Sequence, residues 1–116
     1  AGEGPYVEES RRLAIVMQRR LVDSLQRAGY ATLDLGALSD TGLKPYGTLY
    51  SLGQNAAFAR LGQWPGVVIE PLFLTNGDDA AFLSGAGTLD VLAQACAQAI
   101  SEYLGVGCRR RVWAAE

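Results

Sequence analysis

Two segments near the ends of the sequence repeat apolar residues at helical spacing, and any fold of the chain must cover both apolar faces. The first segment spans about 8–28 and is followed by Gly29, which favours the left-handed C′ position after a helix. The second spans about 88–104, with Thr88 as the predicted N-cap and Gly105 as the predicted C′ residue. The predicted stripes are Ala14, Met17, Leu21, Leu25 and Ala28, flanked by Leu13 and Val16, and then Leu89, Leu92, Ala93, Cys96, Ile100, Tyr103 and Leu104.

A short β-branched run between these helices, residues 66–69, predicts a strand. Because it lacks the alternation of a half-buried strand, it indicates a strand buried on both faces, as in a parallel sheet. Residues 47–52 and 30–35 are weaker strand candidates, and Asn76 is predicted to cap a short helix that runs through Leu83. Helices that alternate with apolar strands predict an α/β fold of three layers, helix–sheet–helix, with a mostly parallel sheet. Since sheets usually contain more strands than these, we expect only part of a larger domain.

The composition fits one small domain. The chain has 116 residues, 49% of them hydrophobic, and a net charge of −2. We predict that residues 1–105 form the domain and residues 106–116 a C-terminal tail. The charge and the lack of an apolar run of ~18 residues argue against nucleic-acid binding and against a membrane span. The sequence opens at Ala1 with neither an initiator methionine nor a signal peptide, so we expect a processed product or a fragment.

The lack of histidine limits the chemistry that this chain can perform. The sequence contains no histidine, and Cys96 and Cys108 do not have the CxxC spacing of a metal site. A catalytic zinc site normally includes at least one imidazole, so we expect no catalytic zinc in this chain alone. Cys96 lies on a predicted apolar stripe and is expected to be a core thiol. Whether it pairs with Cys108 stays open.

Glu70 is the residue best placed for catalysis. It directly follows the predicted buried strand, and ligands of α/β proteins bind at the carboxyl ends of the strands. A carboxylate close to a core needs a cation, a metal-bound group or solvent beside it. Strands also commonly end in a charged residue as the chain leaves the core, so position alone leaves both interpretations open.

Four segments in series, spread over residues 6–104, resemble the zinc-dependent N-acetylmuramoyl-L-alanine amidases of type 3. Residues 64–76, Trp-Pro-Gly-Val-Val-Ile-Glu-Pro-Leu-Phe-Leu-Thr-Asn, resemble the family segment Pro-Ala-Val-Leu-Val-Glu-x-Gly-Phe-Leu-Ser/Thr-Asn. Residues 10–21 resemble the family helix Ser-x-x-Leu-Ala-x-x-Ile-Gln-x-x-Leu, and residues 40–44, Asp-Thr-Gly-Leu-Lys, resemble Asp-Arg-Gly-Val-Lys. Residues 92–103 match the closing helix of the family.

The resemblance implies the C-terminal portion of the catalytic domain of a peptidoglycan hydrolase that acts in the periplasm, in the cell wall or as a secreted protein. Glu70 would be the general base that takes a proton from zinc-activated water. The bond cleaved would be the amide between N-acetylmuramic acid and the L-alanine of the stem peptide. The family's zinc ligands, two histidines and a glutamate, precede the segment matched by residues 10–21, so the cofactor would be zinc in the complete enzyme only. Thr41 replaces the family arginine and Leu72 a glycine, which leaves the shape of the pocket open.

The expected partners are peptidoglycan and either the N-terminal half of the amidase domain or a second copy of the chain, paired along an open sheet edge. The alternative is a non-catalytic amidase-like module that binds cell-wall precursors or a protein partner. A third interpretation is an unrelated α/β interaction domain. A histidine ligand set encoded upstream would favour the catalytic amidase over both of these alternatives.

Further charged and aromatic residues are weaker candidates. Lys44 and Tyr46 are expected at the surface or in packing rather than along a substrate groove. Asp78 and Asp79 are expected to be helix-start charges rather than metal ligands. The three arginines of residues 109–111 are expected in a solvated tail rather than in contact with an anionic wall polymer.

Overall fold

The computed structural model describes residues 6–39 and 64–107. The regular elements in those ranges are three helices: α1 (Val7–Arg27), α2 (Gly77–Leu83) and α3 (Thr88–Leu104). A segment without helix or strand, residues 30–39, follows α1, and a second one, residues 64–73, precedes α2.

Helix α1 forms where the sequence predicts it. Its first turn carries Glu8 and Glu9 and its last turn Arg27, charges that suit the two ends of the helix dipole. Gly29 has a φ of 82°, the left-handed conformation that a C′ glycine adopts at little cost, so this prediction is confirmed. Three members of the predicted stripe are buried, namely Met17, Leu21 and Leu25.

Helix α2 is short and is held by a side-chain cap. The side-chain oxygen of Asn76 accepts hydrogen bonds from the backbone N–H groups of Asp78 (2.9 Å) and Asp79 (3.2 Å), which confirms the predicted cap. The turn into α3 is tight at Gly85, where an added Cβ would lie 3.0 Å from the carbonyl oxygen of Phe82. Thr88 is the first residue of α3 and Gly87 its N-cap, so the predicted cap is wrong by one residue. The Thr88 hydroxyl instead donates to the Phe82 carbonyl at 2.7 Å.

The core lies between α1 and α3. Met17 and Leu21 of α1 pack with Ala95 and Ala99 of α3, and the two alanines are fully buried. Alanine has little side chain beyond the backbone, so the two helices can approach closely along this seam. Leu13, Val16, Leu92 and Cys96 are partly buried around it.

The predicted apolar stripe of α3 is partly wrong, because the buried side of the helix is rotated away from it. Leu89, Ile100 and Leu104 are exposed, whereas Ala95 and Ala99 are buried. A sheet layer would have covered these large side chains, but the described residues contain no strand. Cys96 is a half-buried free thiol, and its partial burial raises its pKa.

Arginines of α1 contact the end of α3 at the surface. The Arg20 guanidinium lies 2.6 Å from the Glu102 carboxylate, and Arg19 reaches the same carboxylate. The hydrogen bonds from Arg20 and then Arg19 hold the pKa of Glu102 below its usual range. The Arg12 guanidinium lies 4.6 Å from the centre of the Tyr103 ring. Because these side chains are exposed, they orient the helix pair more than they stabilise it.

The predicted α/β fold of three layers is wrong, because the described part of the chain is helical and contains no strand. Residues 66–70 form neither a helix nor a strand, and the predicted strand 47–52 lies outside the described ranges. Val68 and Ile69 are 45% and 38% exposed, so the run is not buried on both faces. Its β-branched residues favour an extended backbone, but a strand also needs hydrogen-bonded neighbours.

None of the three helices in the described ranges is long and apolar enough to cross a membrane by itself. Taken together, α2 and α3 have the length and composition for it, with an 87° bend between them.

Candidate functional site

A surface groove of about 920 Å³ lies along α1. It is lined by residues of α1 and of the two segments that flank the undescribed residues, 30–39 and 66–73. The wall formed by residues 30–39 is positioned by Asp34. Its carboxylate accepts hydrogen bonds from the Gln18 side chain (2.7 Å) and from the Gly36 backbone N–H (2.9 Å). These two hydrogen bonds, that of Gln18 first, hold the pKa of Asp34 below its usual range.

The second wall, residues 66–73, is fixed at both ends. At its start, the Gly66 backbone N–H donates to the hydroxyl of Ser10 at 3.0 Å, and Ser10 is buried on α1. At its end, the Phe73 backbone N–H donates to the Asp79 carboxylate at 2.7 Å, which ties the segment to α2. The segment is therefore held in place by side chains rather than by a sheet.

Glu70 lies on this wall, between the two fixed ends. It lines the groove and its side chain is exposed. Within residues 6–39 and 64–107 it makes no hydrogen bond or ion pair. The prediction that it ends a buried strand is wrong, since residues 66–70 form no strand and Val68 and Ile69 are exposed. Glu70 is nevertheless an exposed carboxylate that lines a groove.

Asp79 joins the two walls at one end of the groove. It accepts from the Tyr30 hydroxyl as well as from the Phe73 backbone, and the Tyr30 ring stacks on Phe82 with 4.4 Å between ring centres. The hydrogen bond from Tyr30 and then that from Phe73 hold the pKa of Asp79 below its usual range. Asp79 does stand in the first turn of α2, as predicted, but its link to Tyr30 was not found from the sequence. No local signal reveals it, because 49 positions separate the two residues.

The Tyr30–Asp79 hydrogen bond should be visible in the pH dependence of stability. The bond to the Asp79 carboxylate, followed by partial burial, raises the pKa of Tyr30 from 10.0 to about 12. A raised pKa in the folded state favours the neutral phenol, so this contribution is fully present below about pH 10 and is lost between about pH 10 and pH 12. In urea titrations over that range, Tyr30→Phe should flatten the decline in the free energy of unfolding. Tyr6→Phe, a control at an exposed tyrosine, should leave the decline unchanged. Equal slopes in wild type and Tyr30→Phe would contradict the bond.

The groove carries an excess of acidic side chains. Glu8, Glu70, Asp78 and Asp79 line it, and Arg11 is the basic residue among its described lining. Three of these residues, Glu8, Glu70 and Asp78, are exposed to solvent. The groove therefore combines an acidic rim with the apolar side chains of Val67, Val68 and Ile69.

The donor set does not fit the zinc that the family resemblance implies. The chain has no histidine, and the described residues contain no group of three histidine, cysteine, aspartate or glutamate side chains able to hold a metal ion. A zinc site needs three or four such ligands around the ion. Asp78 and Asp79 belong to the first turn of α2, and Asp79 is bonded to Tyr30 and Phe73.

The remaining candidates from the sequence fall outside residues 6–39 and 64–107. These are Lys44, Tyr46, Cys108, the arginines of residues 109–111 and the motif of residues 40–44. Among the described residues, Glu70 and α1 line the same groove, whereas none of the lining residues belongs to α3.

Comparisons with models of protein families, with curated proteins and with solved structures gave no match to this chain.

Proposed function

We propose that this chain supplies the general base, Glu70, of a peptidoglycan hydrolase that cleaves the amide between N-acetylmuramic acid and L-alanine. The observation that carries the proposal is the position of Glu70, exposed on a fixed wall of the groove and without a partner among the described residues. The motif order supports it, because the segment of residues 64–76 follows a helix and precedes another in the order of the amidases.

The role of Glu70 follows from its chemistry. An exposed carboxylate beside a groove can accept a proton from water as the water oxygen attacks the amide carbonyl. The carboxylic acid so formed returns the proton to the leaving nitrogen, so one water molecule is consumed for each bond cleaved. The products would be the lactyl carboxylate on the sugar and a free amino group on alanine.

The chain needs a second component for this reaction. The described residues contain no metal site that could polarise the amide carbonyl, and the whole sequence contains no histidine. We therefore place the rest of the active site in another polypeptide segment or another chain that closes the groove. The reaction would take place on peptidoglycan, outside the cytoplasm.

The bond that is cleaved tests the proposal. Purified peptidoglycan is incubated with the complete gene product, and the soluble products are identified by mass spectrometry. We expect free stem peptides that begin with an alanine amine, together with glycan strands that keep intact glycosidic bonds. Cleavage of glycosidic bonds, or of peptide bonds within the stem, would contradict an amidase.

A second function, a non-catalytic amidase-like module, is favoured by the lack of any histidine in 116 residues. In this case the groove binds a cell-wall precursor or a protein partner, and Glu70 only supplies charge. The same incubation separates the two functions, since the module would sediment with peptidoglycan and release no alanine amines.

A further inference from the structure

Asp79 divides its carboxylate between two segments of the chain. Its Oδ2 accepts a hydrogen bond from the Phe73 backbone N–H at 2.7 Å, and its Oδ1 accepts one from the Tyr30 hydroxyl. Its own backbone N–H donates to the side chain of Asn76 at 3.2 Å, which fixes Asp79 in the first turn of α2. The bonds from Tyr30 and then Phe73 hold the pKa of Asp79 below its usual range, so the carboxylate is ionised at neutral pH and accepts from both donors.

Tyr30 is held in turn by α1 and by α2. Its backbone N–H donates to the Leu25 carbonyl at 3.0 Å, and Leu25 is a buried residue near the end of α1. Its ring stacks on that of Phe82 in α2. Asp79 therefore joins the end of α1, the helix α2 and the segment of residues 66–73. A charge that only stabilises the start of a helix does not need this bond to Tyr30.

Glu70 lies on the segment that Asp79 holds. It precedes Phe73 by three positions and follows Gly66, whose backbone N–H is bonded to Ser10 at 3.0 Å, by four. The place of Glu70 beside α1 therefore depends on both anchors. A general base must come within about 2.6–3.2 Å of the group whose proton it takes, and a displacement of about 1 Å costs up to about 10²-fold in rate.

We propose that Asp79 is a positioning residue for Glu70, and that it acts by tying residues 66–73 to Tyr30 at the end of α1. This inference rests on the proposed function, in which Glu70 is the general base. Asp79 does not itself take part in the proton transfer, because both of its oxygens are occupied by protein donors. Loss of the tie is therefore expected to slow the chemical step more than it weakens substrate binding.

Two variants and a matched control test the tie in the complete gene product acting on peptidoglycan. Asp79→Asn leaves one acceptor oxygen for two donors, and we expect kcat for alanine-amine release to fall about 10- to 100-fold with KM within about twofold. Tyr30→Phe keeps the ring and removes the hydroxyl, and should lower kcat about 3- to 10-fold. Asp90→Asn makes the same change at an exposed aspartate in the first turn of α3, outside the groove lining, and should retain wild-type turnover. Wild-type kcat in Asp79→Asn or in Tyr30→Phe would overturn the proposal.

A double variant distinguishes positioning from general damage to the fold. A residue that acts through Glu70 has nothing left to position once Glu70 is replaced. In a Glu70→Gln background we therefore expect Asp79→Asn to change the residual rate by less than about twofold. A further loss as large as that in the wild-type background would overturn the proposal, because the two effects would then be independent.

Hydrogen exchange tests the tie without depending on activity. Asp79→Ala removes both acceptors, so the Phe73 amide should exchange at least about tenfold faster than in wild type or in Asp90→Ala. Unchanged exchange would overturn the tie. If the amide behaves as expected but the wild-type gene product releases no alanine amines, the proposed function fails and the positioning role fails with it. If wild type and Asp90→Asn are active and Asp79→Asn equals them, the positioning role alone fails.

Discussion

Glu70→Gln is expected to lower the rate of alanine-amine release from peptidoglycan by at least about 10²-fold in the complete gene product. Glutamine has nearly the shape of glutamate and still accepts hydrogen bonds, but it cannot take a proton from water at neutral pH. Glu70 is exposed, and the substitution removes no hydrogen bond or ion pair among the described residues. The loss should therefore appear in kcat, with an unchanged urea midpoint of unfolding.

Glu9→Gln is the matched control for this variant. It makes the same chemical change at another exposed glutamate, on a side of α1 that is not part of the groove lining. We expect wild-type turnover from it. A Glu70→Gln protein with near wild-type turnover and the same products would remove Glu70 from the mechanism. A Glu70→Gln protein that fails only in KM would assign the residue to binding.

The local structure of this chain could be predicted from its sequence. Helix α1, the Asn76 cap and the left-handed Gly29 lie where spacing and capping chemistry put them, and the left-handed Gly105 is the C-cap of α3, one position from the predicted C′. These features depend on residues within one or two turns of each other, so neighbouring positions in the sequence contain the information.

The layer arrangement could not be predicted in the same way. The β-branched residues of 66–69 do favour an extended backbone, but whether a neighbouring strand pairs with it depends on residues far away in the sequence. For the same reason, composition did not reveal which side of α3 is buried. Large residues such as Leu89 and Ile100 dominated the predicted stripe, whereas the seam uses Ala95 and Ala99.

The candidate site was found only in part. Glu70 was selected because it follows an apolar run and matches a family motif, and the structure places it on a groove. The two anchors of its wall, Ser10 and Asp79, were not assigned that role. Ser10 bonds to Gly66, which is 56 positions away, so no local pattern in the sequence indicates the contact. Asp79 was expected only as a helix-start charge.

Leu21→Ala should destabilise the protein by about 2–4 kcal/mol. Leu21 is 5% exposed and packs with Met17, Ala95 and Ala99 in the seam between α1 and α3. Truncation removes apolar contacts and leaves a cavity that a seam of alanines cannot refill. With a urea slope of about 1–3 kcal/mol/M, the midpoint of unfolding should fall by about 0.7–4 M, as measured by circular dichroism.

Leu89→Ala separates the helical structure from the layered fold that the sequence predicts. It removes the same atoms as Leu21→Ala, but Leu89 is 69% exposed on α3. Since little apolar surface is buried there, and alanine favours helix at least as well as leucine, we expect a change within about 0.5 kcal/mol. A sheet layer packed on the predicted stripe would bury Leu89 and make its truncation cost about as much as that of Leu21. Equal losses of unfolding free energy in the two variants would contradict the α1–α3 seam. A large loss for Leu21→Ala alone is the result expected if Ala95 and Ala99, and not Leu89, face α1.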